Sequence, residues 1–285
     1  MGFQEGLLNG KNVVITGGGS GIGLGICEHF LSLGAKVFIC SRSEEKLARV
    51  SEGLKEKGFE HIYYHPCDVR EPEQVDAMLA SAIEQMGEVN VLLNNAAGNF
   101  ISPTEALSHN AFKTVVDIVL MGTANCSLSF GKYWLKNDIE ACILNITTTY
   151  ASTGSAFVVP SAAAKAGVLN LTRSLAVEWG RRKIRSVAIA PGPFPTEGAW
   201  SRLFPEEVAK LVDPKEHIPL GRVGNHIELQ NLAAFLVSDM APYINGEVVT
   251  IDGGEWLQGA GEMNNLLKVP KETWLELAKK HRKGK

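Results

Sequence analysis

Seven short apolar runs recur along the chain, each too short for a helix and rich in strand-forming residues. They are NVVIT (12–16), KVFIC (36–40), HIYYH (61–65), VNVLLN (89–94), ACILNI (141–146), RSVAIA (185–190) and EVVTI (247–251). Between them apolar positions recur at helical spacing, as in ICEHFLSL, EQVDAMLASAIEQM and AAKAGVLNLTRSLAVEW. Runs that are apolar on both faces leave no side for water, so helices must cover the sheet above and below. The alternation predicts βαβ units and an α/β fold: a doubly wound sheet of seven mainly parallel strands with helices on both faces. Gly34, Gly58, Gly87 and Gly180 each follow a helical stretch, where a helix C-terminus favours glycine.

One gap breaks this rhythm. After the sixth run comes PGPFPTEGAWSRLFPEEVAKLVDPKEHIPLGRVG, punctuated by Pro and Gly. An insertion there overhangs the carboxyl edge of the sheet, where ligands bind in such folds. Phe194, Trp200, Leu203 and Phe204 suit a lid over something apolar, drawn at 194–220. The domain is drawn at 1–257. The remaining tail, 258–285, carries an apolar stripe of Trp274, Leu275 and Ala278 beside a basic end, and is expected to pack on the domain or a neighbouring subunit.

Composition changes this picture little. The 285 residues are 45% hydrophobic and 21% charged with a net charge of -3, which gives no concentrated basic surface for nucleic acid or membrane. No apolar run approaches the roughly 20 residues that span a bilayer. The start MGFQEGLLNGK has no basic end and apolar core of a secretory signal, and the end HRKGK is not Ser-Lys-Leu, so a cytoplasmic chain is expected. Cys27, Cys40, Cys67, Cys126 and Cys142 lie in apolar stretches without Cys-x-x-Cys spacing, and read as buried thiols. Neither they nor the seven histidines suggest a metal site.

The chemistry begins where the first run meets TGGGSGIGLG. Gly17, Gly19, Ser20, Gly21, Ile22 and Gly23 lie between a predicted strand and helix, and such glycines let the backbone approach a pyrophosphate at the helix N-terminus. The second run ends in CSRS. Ser41 and Arg42 stand where an NAD-selecting fold places an acid, and an arginine matches a 2′-phosphate bidentately. NADPH is the expected cofactor; the competing reading of Arg42 is a solvated turn residue.

TGGGSGIG, Cys67-Asp68-Val69, Asn94-Asn95-Ala96-Ala97-Gly98, Ser161-x-x-x-Lys165 and the Pro191-Gly192-Pro193 turn, in this order over residues 8–255, resemble the short-chain dehydrogenase/reductase family. The resemblance implies a single-domain, Rossmann-like fold. It also implies that Asp68 with Val69 borders the adenine, that Asn95, Ala96 and Gly98 flank the ribose, and that Lys165 grips the nicotinamide ribose. Pro191, Gly192, Pro193 and Phe194 would cover the nicotinamide, and Asp252-Gly-Gly would close the last strand. A homo-oligomer, usually a tetramer in this family, is implied as well.

One position departs from the family. A tyrosine ordinarily lies one helical turn before the lysine and protonates a carbonyl oxygen as hydride reaches its carbon. Ser161 stands there, with a hydroxyl too short and too weakly acidic for that task. Eleven residues earlier, Tyr150 follows the fifth run and reaches the same edge of the sheet. From there it can hold an enolate oxygen while hydride enters a conjugated system at a remote carbon, and the Asn99 amide can share that task. A packed strand-end aromatic and a turn-forming asparagine are the plainer readings of each alone.

NNAAGNFISPTEALS, TTTYASTGSAFVVPSAAAKAG, PGPFPTEGAWSRL and INGEVVTIDGGE resemble the 2,4-dienoyl-CoA reductase branch of that family. This implies NADPH-dependent reduction of 2,4-dienoyl-CoA to 3-enoyl-CoA in the oxidation of unsaturated fatty acids. Tyr150 and Asn99 would hold the thioester oxygen, Lys165 would position the cofactor with help from Ser161, and water would protonate the carbon beside the thioester. Arg70, Phe100, Ser108 and Arg202 match positions that contact the acyl-CoA substrate. Met121 stands where the family often has an asparagine supporting a water chain to the lysine, which puts that relay in doubt. An enoyl-thioester or carbonyl reductase, or a non-catalytic NADPH-binding sensor, are the alternatives.

Overall fold

The structure, a computed structural model, describes residues 6–196 and 213–283. Seven strands form one sheet: β1 (Asn12–Thr16), β2 (Lys36–Ser41), β3 (Ile62–Pro66), β4 (Val91–Asn94), β5 (Ala141–Ile146), β6 (Ile184–Pro191) and β7 (Val248–Ile251). Their order is β3-β2-β1-β4-β5-β6-β7 and every pair is parallel. The order reverses between β1 and β4, which opens a crevice at their carboxyl ends.

Alternate side chains of each strand enter opposite layers. Val13 and Ile15 of β1 join Val37 and Ile39 of β2 against α1 (Gly21–Ser32) and α2 (Glu44–Glu56), while Val14 and Phe38 face the other way. That second layer is built from Val75 and Met78 of α3 (Pro72–Met86) together with Phe130 and Trp134, which lie beyond α4 (His109–Val116) on α5 (Gly122–Asn137). After β5 come the single turn α6 (Tyr150–Thr153) and the long α7 (Val159–Trp179), whose Leu175 and Trp179 complete it. On the first face, α8 (His226–Val237) adds Leu229 and Leu236. The short α9 (Glu255–Ala260) and the terminal α10 (Lys271–Lys283) follow β7.

Predicted strand ends move by only one or two residues. Gly34, Gly58 and Gly87 do adopt positive φ after their helices, but Gly180 stays helical at φ -57 and starts a 3-10 turn. The left-handed position falls instead on Lys183, after that extra turn. α4 and α5 are joined through a π turn at Asp117–Met121, giving a helical stretch, His109–Asn137, long and apolar enough by composition to cross a membrane. No such stretch is expected from the sequence, in which polar residues intersperse its apolar ones. Cys126, Phe130 and Trp134 of this stretch are wholly buried against the sheet.

Candidate active site

The glycine turn after β1 is shaped by close approaches. Gly17 and Gly21 have φ of +68° and +54°, in the left-handed region that a side chain resists. A Cβ at Gly23 would stand 2.5 Å from Asn95 Nδ2 and 2.6 Å from the Gly17 carbonyl oxygen. Asn95 clamps the turn, donating from Nδ2 to the carbonyls of Thr16 (3.1 Å) and Gly17 (3.2 Å). The Thr16 hydroxyl accepts from the backbone N–H of both Asn95 and Ala96 at 3.0 Å. Ser20 caps α1 without a side-chain hydrogen bond, and no acid lies in the first turn. The helix N-terminus therefore offers N–H groups and positive potential to an anion.

At the tip of β2, the Ser41 hydroxyl is buried without a hydrogen-bond partner, 3.6 Å from the position of a Cβ on Gly19. Arg42 beside it is exposed and forms no ion pair or side-chain hydrogen bond among the described residues. An orphaned buried hydroxyl beside a free guanidinium fits a phosphorylated ribose. The residues present thus suit a dinucleotide.

Asp68 is less free than the sequence suggests. Arg70 grips its carboxylate bidentately, with Nε at 2.9 and 3.0 Å and Nη2 at 2.5 Å, and this pairing holds the carboxyl below its usual range. Arg70, expected at the substrate, and Asp68, expected at the adenine, so form one unit. Ser108 spends its acceptor as the cap of α4, receiving the Ala111 N–H at 3.1 Å, while its own proton remains to donate. Phe100 is half-buried against Val115, Val119, Ala164 and Val168. Met121 is exposed at the end of the π turn. Arg202, with Trp200, Leu203 and Phe204, lies outside the described residues.

On α7, Ser161 and Lys165 are i, i+4 neighbours and both buried. Lys165 Nζ donates to the Ile146 carbonyl at the end of β5, and burial lowers its ammonium to about 8. Ser161 Oγ lies 3.2 Å from Tyr150 Oη, and Asn99 Nδ2 donates to the same phenol at 3.4 Å. Asn99 Oδ1 accepts the Phe100 N–H at 2.9 Å, which fixes the amide. The proposed serine–lysine assistance has a different geometry: among the described residues Ser161 meets Tyr150, not Lys165.

Either hydroxyl of the Tyr150–Ser161 pair can be the donor. With Ser161 donating, the phenol oxygen accepts from both Asn99 and Ser161 and keeps its own proton to donate, and Asn99 Nδ2 keeps a second hydrogen. Both can serve an oxygen placed between them.

Around the nicotinamide side, Gly192 has no room for a side chain: a Cβ would meet Asp252 Cβ at 2.6 Å. Asp252 in turn accepts from the N–H groups of Gly254 and Trp256, both at 2.8 Å, and the Gly192 N–H donates to the Ile251 carbonyl at 3.0 Å, which ties the Pro191–Pro193 turn to the end of β7. Phe194 is buried edge-to-face on His226. Sequence reasoning missed the polar chain beneath the site, Asn94 Nδ2 to Asn145 Oδ1 and Asn145 Nδ2 to Thr172 Oγ1, each 2.9 Å. A lone polar residue inside the apolar run ACILNI was its one signal. Among the described residues no group of three potential ligands could hold a metal ion.

Residues 17–255 match the family model described as Enoyl-(Acyl carrier protein) reductase. The solved short chain dehydrogenase from Bacillus anthracis is 44% identical, with a TM-score of 0.79 over 85% of this chain and 95% of that one. The chain belongs to the short-chain dehydrogenase/reductase family. It is an oxidoreductase of that family with the seven-stranded parallel fold expected of it. A probable 2,4-dienoyl-CoA reductase of Bacillus subtilis (strain 168), described as (2E)-enoyl-CoA-producing, is 44% identical over 87% of this chain and 97% of its own. The peroxisomal 2,4-dienoyl-CoA reductase of Danio rerio, described as (3E)-enoyl-CoA-producing, is 38% identical over 94% of this chain and 88% of its own. The 3-ketoacyl-(acyl-carrier-protein) reductase from Brucella melitensis, solved with NADH, is 28% identical with a TM-score of 0.79 over 87% of this chain and 99% of that one.

Proposed function

We propose that the chain is an NADPH-dependent 2,4-dienoyl-CoA reductase that forms 3-enoyl-CoA in the oxidation of unsaturated fatty acids. The observation that carries this reading is the hydrogen-bonded set Asn99–Tyr150–Ser161, with a serine in the family tyrosine's position and a tyrosine facing it from α6. The nicotinamide, when bound, supplies hydride to the far end of the diene. Tyr150 Oη and Asn99 Nδ2 donate to the thioester oxygen, on which negative charge develops, and so stabilise the dienolate. Ser161 orients the phenol. Lys165 holds the ribose and lends its charge beneath it. Water then protonates the carbon beside the thioester, and one hydride plus one proton complete the reduction.

The names of the relatives from Bacillus subtilis and Danio rerio support the substrate. The family model's description favours one rival, an enoyl-thioester reductase. An NADPH-oxidation assay separates them: 2,4-dienoyl-CoA should be consumed well ahead of 2-enoyl-CoA and 3-ketoacyl-CoA. A preference for either of the latter overturns the reading, and no turnover of any points to a sensor.

NADPH is favoured by Arg42 and the orphaned Ser41 hydroxyl. Losing a charge-assisted phosphate contact costs about 1.5–3 kcal/mol, so Arg42→Ala should weaken NADPH roughly ten- to a hundredfold and NADH far less. Equal losses would make Arg42 structural. The reading includes a homo-oligomer, a tetramer by resemblance, favoured by exposed Leu128 on α5 and Val177 on α7. A monomer mass by light scattering would remove that part.

A further inference from the structure

Among the described residues, three non-glycine residues have φ in the left-handed region: Asp138, Lys183 and Phe157. The first two follow helical turns, where a left-handed residue ends the turn. Phe157 differs. It precedes α7, at φ 64, and its side chain is 55% exposed. A bulky residue gains nothing from this backbone conformation, which glycine adopts without strain, and gains little burial here. Its carbonyl accepts the Ser102 N–H at 2.9 Å, which joins the loop after Tyr150 to the loop after Asn99. Ile101, on that second loop, is also 40% exposed. Two apolar side chains are thus displayed on the two segments that supply the oxygen donors, bridged to each other by backbone.

We infer that Phe157 and Ile101 form an apolar collar that receives the acyl chain of the substrate and sets its chain-length preference. This rests on the proposed dienoyl-thioester reading. The thioester oxygen is held at Asn99 and Tyr150, two residues before Ile101 and seven before Phe157. A fatty acyl-CoA is polyanionic on one side of that oxygen and purely apolar on the other. The charged groups Asp68, Arg70 and Arg42 gather around the ends of β2 and β3, whereas Phe157 and Ile101 are exposed apolar side chains on the two segments that carry Tyr150 and Asn99. The Ser102–Phe157 bond holds the collar in place against the unfavourable φ.

The test compares kcat/KM for dienoyl-CoA thioesters with ten- and six-carbon acyl chains. The collar predicts that the ten-to-six ratio falls on the order of tenfold in Phe157→Ala, since a longer chain loses more buried apolar contact. Ile101→Ala should shift the ratio in the same direction. Phe157→Gly guards against misfolding: it relieves the φ, so the melting temperature should hold or rise while the ratio still falls. A ratio that stays at the wild-type value in folded Phe157→Gly, with both chain lengths losing equally or neither losing, overturns the inference. Failure of the parent reading would be visible earlier, as a wild-type enzyme that consumes neither thioester.

Discussion

Moving a hydroxyl by one element changes what it can do. A phenol beside Lys165 would be an acid for a carbonyl; Tyr150, on α6 and braced by Asn99 and Ser161, would under the proposed function donate to an oxygen that stays attached as an enolate. Removing one such donor commonly costs about 10²–10³ in kcat. Tyr150→Phe should therefore lose that much turnover with 2,4-dienoyl-CoA while retaining NADPH affinity. Ser161→Ala should lose less, because its proposed role is to orient the phenol and not to touch the substrate. Stopped-flow turnover with fluorescence titration of NADPH distinguishes these; near-wild-type Tyr150→Phe beside dead Ser161→Ala would contradict the assignment. Lys165 gives a second check. Burial lowers its ammonium from 10.5 to about 8, so the cation is present below that pH and lost as pH rises through it. The kcat/KM for NADPH should fall above about pH 8, and Lys165→Met should lose this descending limb. The sign for stability is opposite: the buried charge costs stability below about 8, and the cost fades as pH climbs toward the unfolded value. A flat profile from pH 6 to 10 would show that the ammonium is not needed.

At the scale of elements, the turn between β1 and α1 works because the Gly17 and Gly23 backbones and the Asn95 side chain crowd together. Gly23→Ala would place a methyl 2.5 Å from Asn95 Nδ2 and 2.6 Å from the Gly17 carbonyl, and backbone cannot yield cheaply. The turn should shift, weakening NADPH about tenfold or more by calorimetry while the circular dichroism spectrum holds; unchanged affinity would mean that the turn does not cradle the cofactor. Strands, helices and glycine turn were legible because apolar periodicity and glycine placement are local signals. Long-range side-chain pairings were not. Nothing in Cys67-Asp68-Val69-Arg70 announces that Arg70 turns back onto Asp68, since a guanidinium's choice between protein and ligand depends on geometry. The resemblance makes Ser161 a helper of Lys165, its i, i+4 neighbour on α7. The fold of α6 onto α7 brings Tyr150 closer to it than that spacing could reveal.

The whole molecule places these pieces on one edge. Strand order reverses between β1 and β4, so the glycine turn, the Asn95–Asn99 loop and the β5–α7 connection converge at the carboxyl ends of neighbouring strands. A cofactor across the crevice would meet Arg42 at one extreme and the Tyr150 set at the other. The terminal helix α10 lies outside this convergence, and Trp274 and Leu275 remain partly exposed within a single chain. Where hydride and proton go decides the reading, because the tyrosine's new position matters only if the substrate is a conjugated thioester. The direct measurement is an NMR analysis of the product of 2,4-hexadienoyl-CoA and deuteride-labelled NADPH in ordinary water. The expected product is 3-enoyl-CoA carrying deuterium at the fifth carbon and a solvent proton at the carbon beside the thioester. A 2-enoyl product, or deuterium at the carbonyl carbon, would contradict it.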